Sequence, residues 1–488
     1  MEPYKQLYYN ILIYRTPLNQ LLTTIMKKNL WILAAALCMT ACSQNEDIVI
    51  EQPVTDSDFE SPDGRLIIQL GGIESRIGAS VGVTRAPLDK LYDDTDGATT
   101  QLGIFALATN DATNNTAITD ANRTAAWGDT DNYGILLNNV QAAVTAWPQQ
   151  GDTDEKPDGL ENDKAQKITL YKDNAANGVY YYPMQKKYDY TFYGYAPYQA
   201  DQTISAAKPE ISFTEFDGSQ DIIWKNAAAA PIAPGSIYLK DGVTNDTELT
   251  GYNARYIRQL KYHFELNKTP HDKSDYPWIP NINFEHRLAQ LRFSVIPASD
   301  QSEADRTAVQ NMKVKNITIK YHGTTATLNI LTGKLTFTDN GSLLMREATD
   351  DGNGNIAFTN ENADGTAEVP KDIYVQKYEN GQYTLGGVSS PAPLVQGYLM
   401  VKPDMEQFLM DVTIMAPDAG GVPQDLIVHD IPVNAPTPSA DLNKTDNLFY
   451  AGYYYNVRIG IYATQQINAT ATLATWKPGG DPVDVPIE

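Results

Sequence analysis

Apolar and polar residues alternate along much of this chain in short runs. Between Leu288 and Val295, the apolar Leu291, Phe293 and Val295 alternate with the polar Arg292 and Ser294. A period of two residues puts successive side chains on opposite faces of a β-strand. This alternation predicts a strand here. Comparable runs, some alternating and some continuously apolar or dense in β-forming residues, predict strands at 65–70, 102–107, 190–195, 314–320, 327–330, 335–338, 398–401, 409–414 and 456–461.

Turn-forming residues separate these runs. Clusters of Gly, Pro, Asn and Asp lie between them, and Thr332-Gly333-Lys334 between two runs predicts a hairpin. Helical periodicity is sparse, so the spacing favours antiparallel β-sandwiches over βαβ units. A polar stretch with two prolines, 268–277, precedes the run that begins at Leu288. We therefore predict an all-β protein with two tandem antiparallel β-sandwich domains, residues 62–283 and 284–488.

The N-terminal region has the three parts of an export signal. Met26-Lys27-Lys28 is basic, Leu30 to Leu37 is apolar, and Met39-Thr40-Ala41-Cys42 has small residues before a cysteine, as in a lipobox. The apolar run is shorter than the ~20 residues of a membrane span; the alternative is an internal buried helix over 30–39. We predict a lipoprotein signal peptide at 26–41, a lipid-carrying Cys42 and a polar tether at 42–61. Residues 1–25 are then a start-codon overcall.

Cysteine content and charge narrow the choice of partners. The only cysteines are Cys38 and Cys42, so after signal cleavage one remains and no internal disulfide is possible. The formal charge is −23, and removing residues 1–41, which carry a net +3, leaves −26. Such a charge argues against nucleic acid or an anionic lipid surface as a direct partner. We expect a membrane connection through the acyl group alone.

Sequence motifs for catalysis are weak. The five histidines form no HExxH pattern, and the chain contains no GxxxxGK[ST] phosphate loop. Gly78 to Gly82 matches GxSxG, but a turn-rich stretch with Pro87 follows where a nucleophile elbow needs a helix. The acidic segments 93–97 and 351–355 lack the Gly and Glu of an EF-hand loop and are explained as turns. We therefore expect no enzyme activity, no cofactor and no metal.

Several features, taken in chain order, resemble the fimbrillin-like subunits of Bacteroidota type V pili. They are the signal ending at Cys42 with acidic residues behind it, the first strand around 66–70, Val83-Thr84-Arg85-Ala86-Pro87, the aromatic 190–198, His286 to Phe293, Tyr454-Tyr455-Asn456-Val457 and Ala474-Thr475-Trp476. The resemblance covers essentially the whole mature chain. It implies two transthyretin-like β-sandwich domains, export as a lipoprotein, and a place on the outer membrane surface or in a fimbrium.

The resemblance also implies a processing step. In polymerising members an arginine-specific protease cuts after an early arginine, removes the N-terminal strand and opens a groove that a strand of the next subunit fills. The matching bond here is Arg85–Ala86, downstream of the first strand and the lipid. In stalk members the C-terminal segment is the donor. Here Val483, Val485 and Ile487 alternate as inserted residues would, although Pro482 and Pro486 suit only an edge strand.

The leading prediction is thus a structural or adhesive fimbrial subunit whose partners are other subunits and a host or bacterial surface ligand. One alternative is a monomeric surface lipoprotein that binds glycans, because the chain has 30 tyrosines, with dense runs at 180–182 and 453–455. A second is an enzyme with a carboxylate pair, since acidic residues are plentiful.

Overall fold

The computed structural model describes residues 59–74, 100–145, 166–173, 175, 178–184, 187–229, 251–266, 278–310, 312–350, 356–357, 373–417, 422–438, 444–463 and 467–475. All of them belong to one compact unit that begins at Ser57. Strands dominate these residues, and the helices are few and short. The predicted all-β class is therefore confirmed.

The strands of the first half are β1 Leu70–Glu74, β2 Gln101–Asp111, β3 Thr116–Ala117, β4 Ile135–Thr145, β5 Gln166–Leu170, β6 Tyr188–Ala196, β7 Glu210–Phe213, β8 Ile223–Ala228 and β9 Asn281–His286. The helices are α1 Arg123–Trp127, α2 Ala254–Leu266 and α3 Glu303–Val309. No helix among the described residues has the length and apolarity needed to cross a membrane.

The later strands are β10 Ala289–Pro297, β11 Lys313–His322, β12 Thr325–Asn329, β13 Leu335–Thr338, β14 Gly341–Leu344, β15 Arg346–Glu347, β16 Thr349–Asp350, β17 Ile356–Ala357, β18 Ile373–Tyr374, β19 Lys377–Glu379, β20 Gln382–Leu385, β21 Val388–Ser390, β22 Gly397–Val401, β23 Gln407–Pro417, β24 Pro423–Asn434, β25 Tyr453–Ile461 and β26 Ile467–Thr475.

The first large sheet closes on itself. Its order is β3-β2-β4-β5-β1-β9-β8-β6, and β6 also pairs with β2, so every strand except β3 belongs to a closed ring. Neighbours in the ring are antiparallel, apart from β1 and β9, which run parallel. The predicted boundary between residues 283 and 284 falls within β9, and the two-domain division stays a prediction.

Alternation along the ring strands separates two apolar clusters. On β2, Leu102, Ile104 and Ala106 belong to a core that also takes residues from β1, β5 and β9. Phe105 and Leu107, one position out of phase, join a larger core shared with the second half. This is the period-two pattern of strands that are covered on both faces.

The second half contains two sheets with a common core. One has the order β15-β22-β10-β25-β26 and the other β14-β11-β23-β24, with β18 on β11. Leu291, Phe293 and Val295 from β10 share one apolar cluster with Ile317 and Ile319 from β11. The residues that alternate in the sequence thus line the interior of this half, as in a β-sandwich.

A three-stranded sheet joins the two halves of the chain. The predicted hairpin around Thr332–Lys334 is confirmed as β12 and β13, and β12 also pairs with β7 of the first half. Trp224 donates its indole N–H to the Ile330 carbonyl at 2.9 Å, and Arg287 donates Nε–H to the Gly333 carbonyl at 2.9 Å. Gly333 has φ +68 and lies against the Trp224 ring.

Candidate functional site

The residues predicted from the sequence to carry function lie outside the described residues. This applies to the lipidation site, to both residues of the predicted cleavage bond and to the predicted donor residues: Cys42, Arg85, Ala86, Val483, Val485 and Ile487. The GxSxG match and both acidic loop segments also fall outside. These assignments stay predictions. The part of the predicted processing region that the structure describes is the first strand and its surroundings.

The first strand lies further along the chain than predicted. The sequence placed it at 65–70, but regular pairing begins at Leu70, while Leu66 and Ile67 make only isolated bridges to Glu60 and Tyr181. The alternation itself was informative, because Leu66, Ile68 and Leu70 are 0%, 6% and 1% exposed. The strand continues through Gly71 and Gly72, which have no side chain to contribute to a hydrophobic pattern.

Strand β1 lies between β5 and β9, and we call the space that it fills between these two strands its seat. Leu70 pairs with Ile168 of β5, and Gly71 pairs with Asn281 of β9. The Gly71 N–H also donates to the Pro280 carbonyl at 3.0 Å. Since β1 is paired on both sides, its absence would leave two sheet edges with unpaired backbone groups.

A small hairpin precedes β1 and packs beside it. The Ile67 N–H donates to the Phe59 carbonyl at 2.9 Å, and Gly64 makes the turn with φ +80. On the other side, the Ile68 N–H donates to the Tyr180 carbonyl at 2.8 Å, and the Tyr182 N–H donates to the Leu66 carbonyl at 2.9 Å. The segment 59–74 is therefore backbone-paired for much of its length.

Helix α2 fastens this hairpin. Arg258 donates to Glu60 Oε1 at 2.9 Å and to the Gly64 carbonyl at 2.7 Å. Lys261, buried on the same helix, places its ammonium 4.7 Å from the Phe59 ring centroid and 5.2 Å from that of Trp278. Both cations thus contact the segment that the sequence predicts to be removable.

Helix α2 was not predicted from the sequence, although a local signal for it is present. Asn253 accepts the Tyr256 N–H at 2.8 Å through Oδ1, as an N-cap does. Tyr256, Ile257 and Leu260 then follow at helical spacing and are all buried. A cap followed by this spacing would have predicted a helix at this position.

We predict that Arg258→Ala loosens the hairpin without unfolding the protein. The ion pair is partly exposed, at 25% for Arg258 and 32% for Glu60, so its loss should cost about 1 kcal/mol of local stability, or roughly fivefold in exchange rate. Hydrogen exchange of peptides covering 59–74 measures this. Lys315→Ala, which breaks a surface pair with Asp425 in the second half, is the control. Equal exchange in both variants would contradict the fastening role.

Two buried histidines are held by fixed partners. His286 Nδ1 lies 2.7 Å from Asp221 Oδ2, with both side chains buried. His322 donates from Nδ1 to the Gly323 carbonyl at 2.7 Å and accepts the Lys402 N–H at Nε2, also at 2.7 Å. Desolvation lowers the pKa of His322 to about 4. Among the described residues, no group of three or more His, Cys, Asp or Glu side chains could hold a metal ion.

Much of the two tyrosine runs is structural. Tyr182 and Tyr455 are buried, and desolvation raises the pKa of each. The Tyr455 hydroxyl accepts the Tyr450 N–H at 2.6 Å and donates to the Leu448 carbonyl at 3.2 Å. Tyr454 lies beneath the Arg292 guanidinium, 3.7 Å from the ring centroid. These three rings are therefore unavailable as platforms for sugars.

No protein-family model matches the sequence, and no curated protein matches it. Among solved structures, a fimbrial protein from Bacteroides vulgatus has 12% identity and a TM-score of 0.38, covering 84% of this chain and 99% of its own. A candidate cell adhesion protein from Bacteroides uniformis has 15% identity and a TM-score of 0.36, covering 86% of this chain and 100% of its own.

A third similar structure is a C-terminally truncated form of the tip fimbrial protein Mfa3 from Porphyromonas gingivalis. It has 8% identity and a TM-score of 0.30, and the match covers 84% of this chain and 100% of that chain. The structural neighbours are thus fimbrial proteins and candidate adhesion proteins of Bacteroidota, the group whose subunits the sequence resembles.

Proposed function

We propose that this chain is a non-enzymatic fimbrial subunit of two tandem transthyretin-like domains, exported as a lipoprotein through Cys42 and assembled at the outer membrane surface. The observation that carries the proposal is the position of β1. It is the first strand described, it closes a ring of strands, and it lies upstream of the predicted cleavage bond Arg85–Ala86.

A cut at Arg85 would leave β1 bound without a covalent link to the rest of the chain. The strand would then be held by pairing with β5 and β9 and by its buried side chains. Burial of Leu66, Ile68 and Leu70 contributes roughly 1.5–3 kcal/mol each. The cut fragment therefore stays until another strand offers equivalent pairing, which is strand exchange by β-augmentation.

The donor in this proposal is the C-terminal segment with Val483, Val485 and Ile487. A donated strand would pair with the edges of β5 and β9 and restore the closed ring. The partners are accordingly other fimbrial subunits, and contact with a host or bacterial surface belongs to the assembled fibre. The charge of −23 sets nucleic acid aside as a partner.

The test is controlled proteolysis of the folded chain. Incubation with an arginine-specific protease is expected to give a new N-terminus at Ala86, followed by concentration-dependent ladders on a native gel. Arg85→Ala should block both the cleavage and the ladders, because it removes the arginine that the protease recognises. Arg123→Ala, at another arginine, should leave both unchanged.

Deletion of residues 477–488 tests donation of the C-terminal strand separately from cleavage after Arg85. The shortened chain should be cut at the same bond but form no ladders. Cleavage elsewhere, or none in the folded protein, would refute the processing step, and unchanged ladders after the deletion would refute the tail as donor.

A further inference from the structure

The seat of β1 has a constriction at Gly72. A Cβ atom built on Gly72 would lie 2.9 Å from Ile168 Cδ1 and 3.3 Å from Phe284 Cε2. The first distance is closer than real Cβ contacts, so even alanine forces Ile168 to shift. Two residues earlier on the same strand, Leu70 is accommodated with 1% exposure. The seat therefore has room for a large side chain at the position of Leu70 but not at the position of Gly72.

Phe284 cannot retreat from this constriction, because a second glycine lies against it. A Cβ on Gly194 of β6 would lie 2.7 Å from Phe284 Cζ and 2.8 Å from its Cε1. Phe284 is 1% exposed and thus fills the space between two strands that both lack a side chain. A larger residue at Gly72 would press the ring towards the β6 backbone, in an interior packed at high density.

We propose that this constriction selects the strand that enters the seat. The occupant is an extended strand parallel to β9, with large apolar residues at the positions of Leu66, Ile68 and Leu70 and no side chain at the position of Gly72. The partner class is a subunit whose donated strand has three alternating apolar residues, as Val483, Val485 and Ile487 are here, and carries no side chain at the position that meets Ile168 and Phe284. This inference rests on the proposed strand exchange and adds a rule for which strands can take part.

The test uses the full chain cut at Arg85 and synthetic peptides with the sequence of residues 65–74. Entry is followed as displacement of the native fragment, measured by mass spectrometry under native conditions. The unaltered peptide should enter. Gly72→Ala should weaken entry about tenfold, and Gly72→Val should abolish it. Ile67→Ala, at a half-buried position out of phase with Gly72, should change entry no more than about threefold.

The outcomes separate the two proposals. Entry of the Gly72→Val peptide as readily as the unaltered one overturns the selection rule and leaves strand exchange standing. Failure of the unaltered peptide to enter overturns strand exchange as well.

The uncut chain provides an independent measurement. Gly72→Ala should destabilise it, and Ile168→Ala should cost less in that background than alone, because the smaller residue makes room for the added methyl group. If Ile168→Ala destabilised the wild type and the Gly72→Ala variant equally, the result would contradict the proposed constriction.

Discussion

Gly333→Ala is expected to cost roughly 3–5 kcal/mol of unfolding free energy. The backbone has φ +68, where an L side chain is strained by about 1–2 kcal/mol. The added Cβ would also lie 2.2 Å from the Trp224 ring, whose indole N–H is fixed to the Ile330 carbonyl. The β12–β13 hairpin would have to lift from the first half.

Gly386→Ala is the control that separates the cost of backbone strain from the cost of the steric clash with Trp224. Gly386 has φ +57, similar to that of Gly333, but a Cβ there meets nothing within 4 Å. Its expected cost is about 1–2 kcal/mol, the strain alone. Chemical denaturation of both variants gives the comparison. Equal losses would show that the contact with Trp224 contributes nothing, and the hairpin would then be less firmly docked than the structure indicates.

Acidification is expected to destabilise the protein through His322. The ordinary pKa of histidine is about 6.5, and burial lowers that of His322 to about 4. Between these values the unfolded chain binds a proton that the folded chain does not. Stability from this group is therefore complete above pH 6.5, falls as the pH drops towards 4, and is constant below. The full difference is about 3 kcal/mol.

His322→Gln should remove this part of the pH dependence, because glutamine does not titrate. The measurement is the free energy of unfolding of both proteins from pH 7 to pH 4, taken as a difference so that the carboxylates cancel. His429→Gln, at a histidine that is 60% exposed on β24, should leave the His322 contribution in place. Parallel curves for the wild type and His322→Gln would contradict the prediction.

Local pattern was sufficient to predict the strands β10, β11, β22, β23 and β25 of the second half. In the ring it predicted only β2, β6 and, displaced, β1, and the ring strands β4, β5, β8 and β9 were not predicted. The runs at 102–107, 190–195 and 288–295 became β2, β6 and β10, because their alternation or density of apolar residues is a direct consequence of burial. Strand β24, at 423–434, was missed. Its prolines, Pro423 and Pro432, and its exposed charges are features of an edge strand and resemble a loop in sequence.

The surroundings of the site were harder to predict for a different reason. That Arg258 reaches Glu60 and that β1 pairs with β9 depends on residues far apart in the chain, and no local pattern records such contacts. Gly72 and Gly194 have no side chain, so the constriction around Phe284 is also invisible to hydrophobic periodicity. The lipid and cleavage positions, by contrast, come from short local motifs and remain sequence predictions.

The closed ring has a consequence for the order of folding. Pairing Gly71 with Asn281 closes a very long loop, and the entropy of that closure places the contact late. Most of the other ring contacts join strands closer in sequence and can form first. A chain that folds in this order would pass through a state in which β1 is already paired with β5 while its edge towards β9 is still open. The proposed strand exchange would have to reopen this edge, the last one to close in folding.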